Sequence, residues 1–462
     1  MKEKIRIASG QGFWGDLPRA PVDQIRRGEI DYMVMDYLAE VTMSIMQKQR
    51  MRNPEYGYAR DFVEMLDEML PEIVEKGIKV ISNAGGVNPA ACKDAILESA
   101  ARHGIENLTI AVIDGDDLLD RIDELIEEGH LLENMETGEP ITEVKDRLLS
   151  ANVYFGSRPV VEALEKGADI IVTGRVTDTG LTLAPMIHEF DWPFSDYDKM
   201  ASGTIAGHII ECGAQVSGGN FTDWDVVNNL DDVGFPIIEA RPDGTFHVTK
   251  HDGTGGLINR MTVAEQLLYE IGDPSEYITP DVVADFTSIQ LEEEGENRVK
   301  VTGIKGYPDT PTYKVSASYR NGYKLSSSLV YCRPDAVKKA RAASRILKKR
   351  SEKLGLNFDT FRTELIGLNG CDENPDRVQS ALRNSNDLPE VEMRISIRGS
   401  DRDDLNRLGK EVAPLILTGP SGVTGFAGGR PKASEIVAFW PALIEKSAST
   451  PRITLYRNNE NS

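Results

Sequence analysis

Short, β-branched apolar stretches recur through the first part of this chain, and helical apolar spacing fills the gaps between them. They lie at 4–8 (KIRIA), 32–37 (YMVMDY), 78–82 (IKVIS), 108–113 (LTIAVI), 151–155 (ANVYF) and 170–173 (IIVT). The intervening helices are expected over 20–28, from the 40s to residue 51, and over 59–75, 88–103, 117–128 and 159–166. A strand followed by a helix cannot turn back through a tight hairpin, so this alternation demands a mostly parallel sheet with helices on its faces. The expected fold class is therefore α/β: an N-terminal parallel, Rossmann-like sheet covered by helices, followed by an α+β portion. A (β/α) barrel is the alternative, but the pattern breaks after six strands.

Unusual residues gather where these strands end. Gln11, Gly12 and Asp16 follow the first strand, Asp36 and Tyr37 close the second, and Asn83, Gly85 and Gly86 close the third. The DGDD run at 114–117 follows the fourth, and Thr173, Gly174, Arg175 and Asp178 follow the last. Parallel α/β sheets bind ligands at the carboxyl ends of their strands. Turn chemistry accounts for one such cluster, but their recurrence points to a site. Gln11, Asp16, Asp36, Asn83, Gly85, Gly86, Thr173 and Arg175 are accordingly candidate substrate-binding residues, and Asp178 a candidate catalytic one.

A helix expected over about 204–216 carries His208, Glu211, Cys212 and Gln215 at i, i+3, i+4 and i+7, hence on one face. Ile205, Ile209 and Val216 form an apolar stripe beside it. A His and a Glu one turn apart can set each other's protonation state near neutrality. His208, Glu211 and Cys212 are therefore candidate catalytic residues and Gln215 a candidate substrate contact. In this reading His208 shuttles the proton, Glu211 sets its state, and Arg175 binds a carboxylate through both oxygens. A polar seam or subunit contact is the plain alternative. The HxxEC spacing matches no standard zinc site, and no metal is assigned.

From residue 221 the character changes. A strand over 244–250 ends at Lys250 and leads into GTGG (253–256) and a capped helix reaching 269. Antiparallel strands are expected over 298–304, 313–320 and 324–332, then a helix (334–353), strands at 362–368 and 391–399, and a helix (401–416). Two domains follow from this: 1–220, with the site at its strand ends, and 221–462, closing over that cleft. Lys250, Gly253, Thr254, Gly255 and Gly256 form one candidate anion loop; Thr424, Gly428, Gly429 and Arg430, in the glycine-rich 417–432 segment, form another. Neither is followed by GK[ST], and SGQGFWGD lacks a complete GxGxxG, so a bound nucleotide has no fingerprint here.

A formal charge of −22, spread along the chain, argues against nucleic acid or an anionic membrane surface as partner. No apolar run approaches the ~20 residues that span a bilayer. The four cysteines form no CxxC pair and MKEKIRIASG is not a secretory signal, so reduced thiols in the cytoplasm are expected.

Taken together, GQGFWGD, DYLAEVTM, VISNAGGVNP, DGDDL, TGRVTD, GHIIECGAQVSGG, KHDGTGGL and GPSGVTGFAGGRPKASE resemble the acyclic terpene utilisation protein AtuA family over almost the whole chain. The family takes its name from a bacterial pathway that degrades citronellol and geraniol as branched acyl-CoA thioesters. Similar proteins occur in bacteria without terpene metabolism, so the resemblance carries over no substrate; because some members work beside a small domain of roughly a hundred residues, it implies a separate small partner subunit. It transfers no catalytic residues.

The functional expectation is a cytoplasmic, homo-oligomeric catabolic enzyme. Its substrate would be a small carboxylate or branched acyl-CoA thioester, transformed by a hydratase, dehydratase or related lyase step. The only cofactor moiety expected is the coenzyme A of such a substrate. A non-catalytic regulatory or assembly subunit and an NAD-dependent oxidoreductase are the alternatives.

Overall fold

The computed structural model describes residues 2–39, 41–371, 374, 378, 380, 388–425 and 429–458. Five of the expected strands form one parallel layer: β1 (Ile5–Gln11), β2 (Tyr32–Met35), β3 (Lys79–Ser82), β4 (Thr109–Asp114) and the strand Ile170–Thr173. Ile7 registers with Tyr32, Val34 with Ile81, Ile81 with Ile171 and Ile113 with Thr173, all in parallel. Both faces of these strands are buried, which is why they read as unbroken apolar runs. Helices Arg60–Lys76 and Pro89–Arg102 cover one face, with Phe62, Leu66, Leu70, Ile96 and Ala100 in a common core with Met33, Val80 and Ile110.

The sheet is mixed rather than parallel throughout, and no barrel closes. Ile237–Ala240 pairs antiparallel with β1, and Phe246–Thr249, Val299–Thr302 and Gln290–Glu293 extend the sheet outward from it. The segment 221–240 carries no regular sequence pattern; FPIIEA within it is a strand because its buried residues complete the edge beside β1. At the other edge Arg452–Arg457 pairs antiparallel with β4. That pairing occupies the edge the fifth expected strand would need. Leu148–Val153 does form, but it pairs with Thr312–Cys332 instead.

Two further expectations give way to local chemistry. The helix over 204–216 is in fact Tyr197–Ile210, capped by Asp196 and ended before Gly213, whose φ is 56°. The strands over 313–320 and 324–332 are one strand, Thr312–Cys332, which passes through Gly322 at φ 80° without turning back.

The chain divides into two compact units, 1–318 with 439–462, and 319–438. Neither edge coincides with the boundary read at residue 220. In the second unit, Glu390–Gly399 lies between Thr360–Ile366 and the Tyr323–Cys332 stretch, all antiparallel. Leu347, Met393, Ile395, Leu405 and Leu408 form its core with helices Ala336–Lys353 and Arg402–Val412. Among the described residues no helix is long and apolar enough to cross a membrane.

Candidate functional site

Arg175 is delivered by the turn that ends Ile170–Thr173. A Cβ on Gly174 would lie 2.1 Å from Asp116 Oδ1, so the turn needs glycine for backbone to approach carboxylate. Asp116 accepts from Arg175 N and from Asn152 Nδ2, each at 2.9 Å. Burial pushes its carboxyl up to about 6, against those two hydrogen bonds. The Arg175 side chain is itself buried; Nη1 donates to Leu38 O (2.9 Å) and to Asp178 Oδ1 (2.8 Å), and the guanidinium lies 4.1 Å over the Tyr154 ring. Burial works against its charge, but Asp178 and the other neighbours outweigh burial and raise its affinity for the proton. Its Nε is buried without a hydrogen-bond partner.

Asp36 lies behind this pair. Asn83 donates to it at 2.6 Å and accepts from Tyr37 N at 2.8 Å. Burial, then the charge of Asp178, holds the Asp36 carboxyl well above its usual range.

His208, in the last turn of Tyr197–Ile210, is 1% exposed, with Tyr277 and Phe286 packed on its ring at 5.4 Å. Its Nε2 lies 3.1 Å from Gln266 O. A carbonyl only accepts, so Nε2 carries a hydrogen whatever the pH. The titrating nitrogen is Nδ1, which faces Glu211 Oε1 at 2.9 Å without the alignment of a hydrogen bond. Burial opposes charge on His208, but Glu211 overrides it and raises the imidazole; burial raises Glu211 against the pull of His208.

Arg175, Asp178, His208 and Glu211 line one cavity of about 400 Å³, together with Tyr154, Thr177, Glu270, Tyr277, Thr310 and Lys314. That volume suits a small organic ligand. Asn83 and Asp36 reach it through Arg175 and Asp178. Every lining residue belongs to the first unit.

The other candidates lie elsewhere. Cys212 falls outside the cavity lining, and burial followed by Glu211's charge pushes its thiol up to about 12, far from a reactive thiolate. Gln215, on the turn after the helix, lines a separate space with Glu265 and Tyr269. Gln11 donates to Leu17 O, while Asp16 accepts from Gly12 N and Leu17 N; both hold their own loop. Gly85 and Gly86 are packing positions, where a Cβ would meet Thr173 O at 2.6 Å and Met46 Sδ at 2.1 Å. Thr173 hydroxyl donates to Gly174 O.

The first anion loop is closed upon itself. Gly255 N donates to Asp232 O, Gly256 N to Asn228 O, and Lys250 to Thr254 O and Oγ1, so the donors a phosphate would use are engaged; Gly253, at φ 74°, is simply a turn. In the second loop Thr424 pairs with Val330, Gly429 and Arg430 are exposed, and Gly428 lies outside the described residues.

Tyr154, Glu270, Tyr277 and Lys314 went unread in the sequence. Tyr154 sat at the end of an expected strand, but no spacing joined the others to His208. Among the described residues, no group of three or more His, Cys, Asp or Glu could hold a metal ion.

A family model described as "Acyclic terpene utilisation family protein AtuA" matches residues 5–455. No curated protein and no solved structure matches the chain.

Proposed function

Because the chain belongs to the acyclic terpene utilisation family AtuA, whose membership suggests a role in using such compounds, we propose that its cavity moves a proton on a small carboxylate or branched acyl-CoA thioester. The reaction class is hydration, dehydration or a related lyase step. The observation that carries this reading is the arrangement of His208. With Nε2 fixed as donor to Gln266 O, the titrating proton belongs to the other nitrogen, Nδ1, which lies 2.9 Å from Glu211 Oε1. It can leave only through the carboxylate, which has 13% of its side chain exposed against 1% for His208. Glu211 is therefore the general acid–base group, and His208 sets its protonation, the reverse of the roles the spacing alone suggested.

Arg175 and Lys314 supply positive charge to the same cavity, where a substrate carboxylate or a developing enolate oxygen would be held. Asp178 keeps Arg175 in place. Tyr277 and Phe286 shield the imidazole from water and keep the pair responsive to small changes in its surroundings.

The test is a panel of organic acids and CoA thioesters incubated with the purified protein and followed by mass spectrometry for gain or loss of water. With a turned-over substrate in hand, Glu211→Gln is expected to reduce turnover by about 10²-fold or more with the fold retained. Undiminished turnover in Glu211→Gln would remove the carboxylate from the chemistry.

A further inference from the structure

The long excursion between helix Ile122–Glu127 and strand Leu148–Val153 supplies no acid–base group, yet it is held firmly. Met135 N donates to Pro441 O at 2.9 Å, and Trp440 Nε1 donates to Leu132 O at 3.0 Å. Asn134 Oδ1 accepts from Glu136 N and Thr137 N, closing the turn. Leu132 is buried at φ 47°, a left-handed conformation that a non-glycine residue seldom adopts. A surface loop anchored in this way presents a fixed wall.

Between that wall and the strand Ser434–Glu445 runs an open groove of about 620 Å³. Met135, Thr312 and Leu443 line both this groove and the acid–base cavity, so the two adjoin. The chemistry changes along the path. The inner cavity carries Arg175, His208 and Glu211, whereas the outer groove carries Met135, Leu443 and Leu131, 56, 47 and 46% exposed. Single exposed apolar side chains need no explanation, but three along one groove do.

We infer that the outer groove is a hydrocarbon subsite, so that the ligand is an elongate amphiphile. Its carbonyl or carboxylate sits at Arg175 and Glu211, and its alkyl chain leaves past Met135 and Leu443. This deepens the reading of the same cavity and rests on it. The nucleotide end of coenzyme A is the competing occupant, and the lining disfavours it. Among the described residues the groove lining has no Lys or Arg, and Glu133 and Glu445 would repel its phosphates.

The experiment is isothermal titration of the full chain with straight-chain monocarboxylates from butanoate to dodecanoate. Affinity is expected to rise with each methylene by up to about fourfold, then level off once the groove is filled. Met135→Glu and Leu131→Glu, both at exposed positions, should flatten that rise. Arg175→Gln should weaken every member by a common factor and leave the slope intact. A steep slope with no effect of Arg175→Gln would uphold the groove and sink the anchor. A flat series, an undiminished slope in both glutamate variants, or no binding at any length would overturn the subsite.

Discussion

Asp116 shows how much the site depends on a single buried carboxyl. Its native value of about 6, against 3.8 in the unfolded chain, means the folded protein binds this proton more tightly. Between those two values the native state holds the proton and the unfolded chain does not. Stability from this group is therefore complete below pH 4 and disappears as pH rises through 6, a change of about 3 kcal/mol. Urea melts of wild type and Asp116→Asn across pH 4–7 should show the wild type gaining on the variant by that order as pH falls. A constant difference would mean that Asp116 is not perturbed. Residues of this kind were half legible. Arg175, Asp178, His208 and Glu211 stood out because charge interrupted apolar runs at strand and helix ends, where such runs normally stay apolar. Tyr277 and Lys314 did not, because they reach the cavity from strands distant in sequence and nothing in their own neighbourhoods is unusual.

The helix Tyr197–Ile210 carries the pair and must lie against Asp178–Phe190 without a gap. A Cβ on Gly207 would stand 2.6 Å from Thr179 Cα and 2.7 Å from its carbonyl oxygen, both backbone atoms that cannot swing aside. Gly207→Ala should thus separate the two helices and cost about 1–3 kcal/mol, read as a lowered urea midpoint. It should also move His208 relative to Gln266. An unchanged midpoint would show that the two helices can part without cost. The side-chain spacing revealed this helix but misplaced its ends. Asp196 begins it by accepting from Lys199 N, seven residues before the expected start, and Gly213 stops it before Cys212 and Gln215 can share the face of His208. Helical periodicity reports which residues could align. It does not report where a cap or a left-handed glycine interrupts the alignment.

At the scale of the molecule, the parallel layer was legible because each of its strands is buried on both faces and flanked by helices. The antiparallel additions were not. Ile237–Ala240 and Arg452–Arg457 are short and join β1 and β4 from far along the chain, and pairing at that distance leaves no local periodic signal. Of the residues expected at the strand ends, Arg175 and Asp178, which follow Ile170–Thr173, line the cavity. Under the proposed function Glu211, governed by His208, exchanges a proton with a carbon acid bound there. Solvent deuterium incorporation tests it most directly: the protein is incubated in D2O with the organic acid or thioester that binds best, and exchange at the carbon beside the carbonyl is followed by NMR. Wild type should incorporate deuterium, and Glu211→Gln should do so at least about 10²-fold more slowly. Equal exchange by both proteins, or none by either with the ligand bound, would contradict the account.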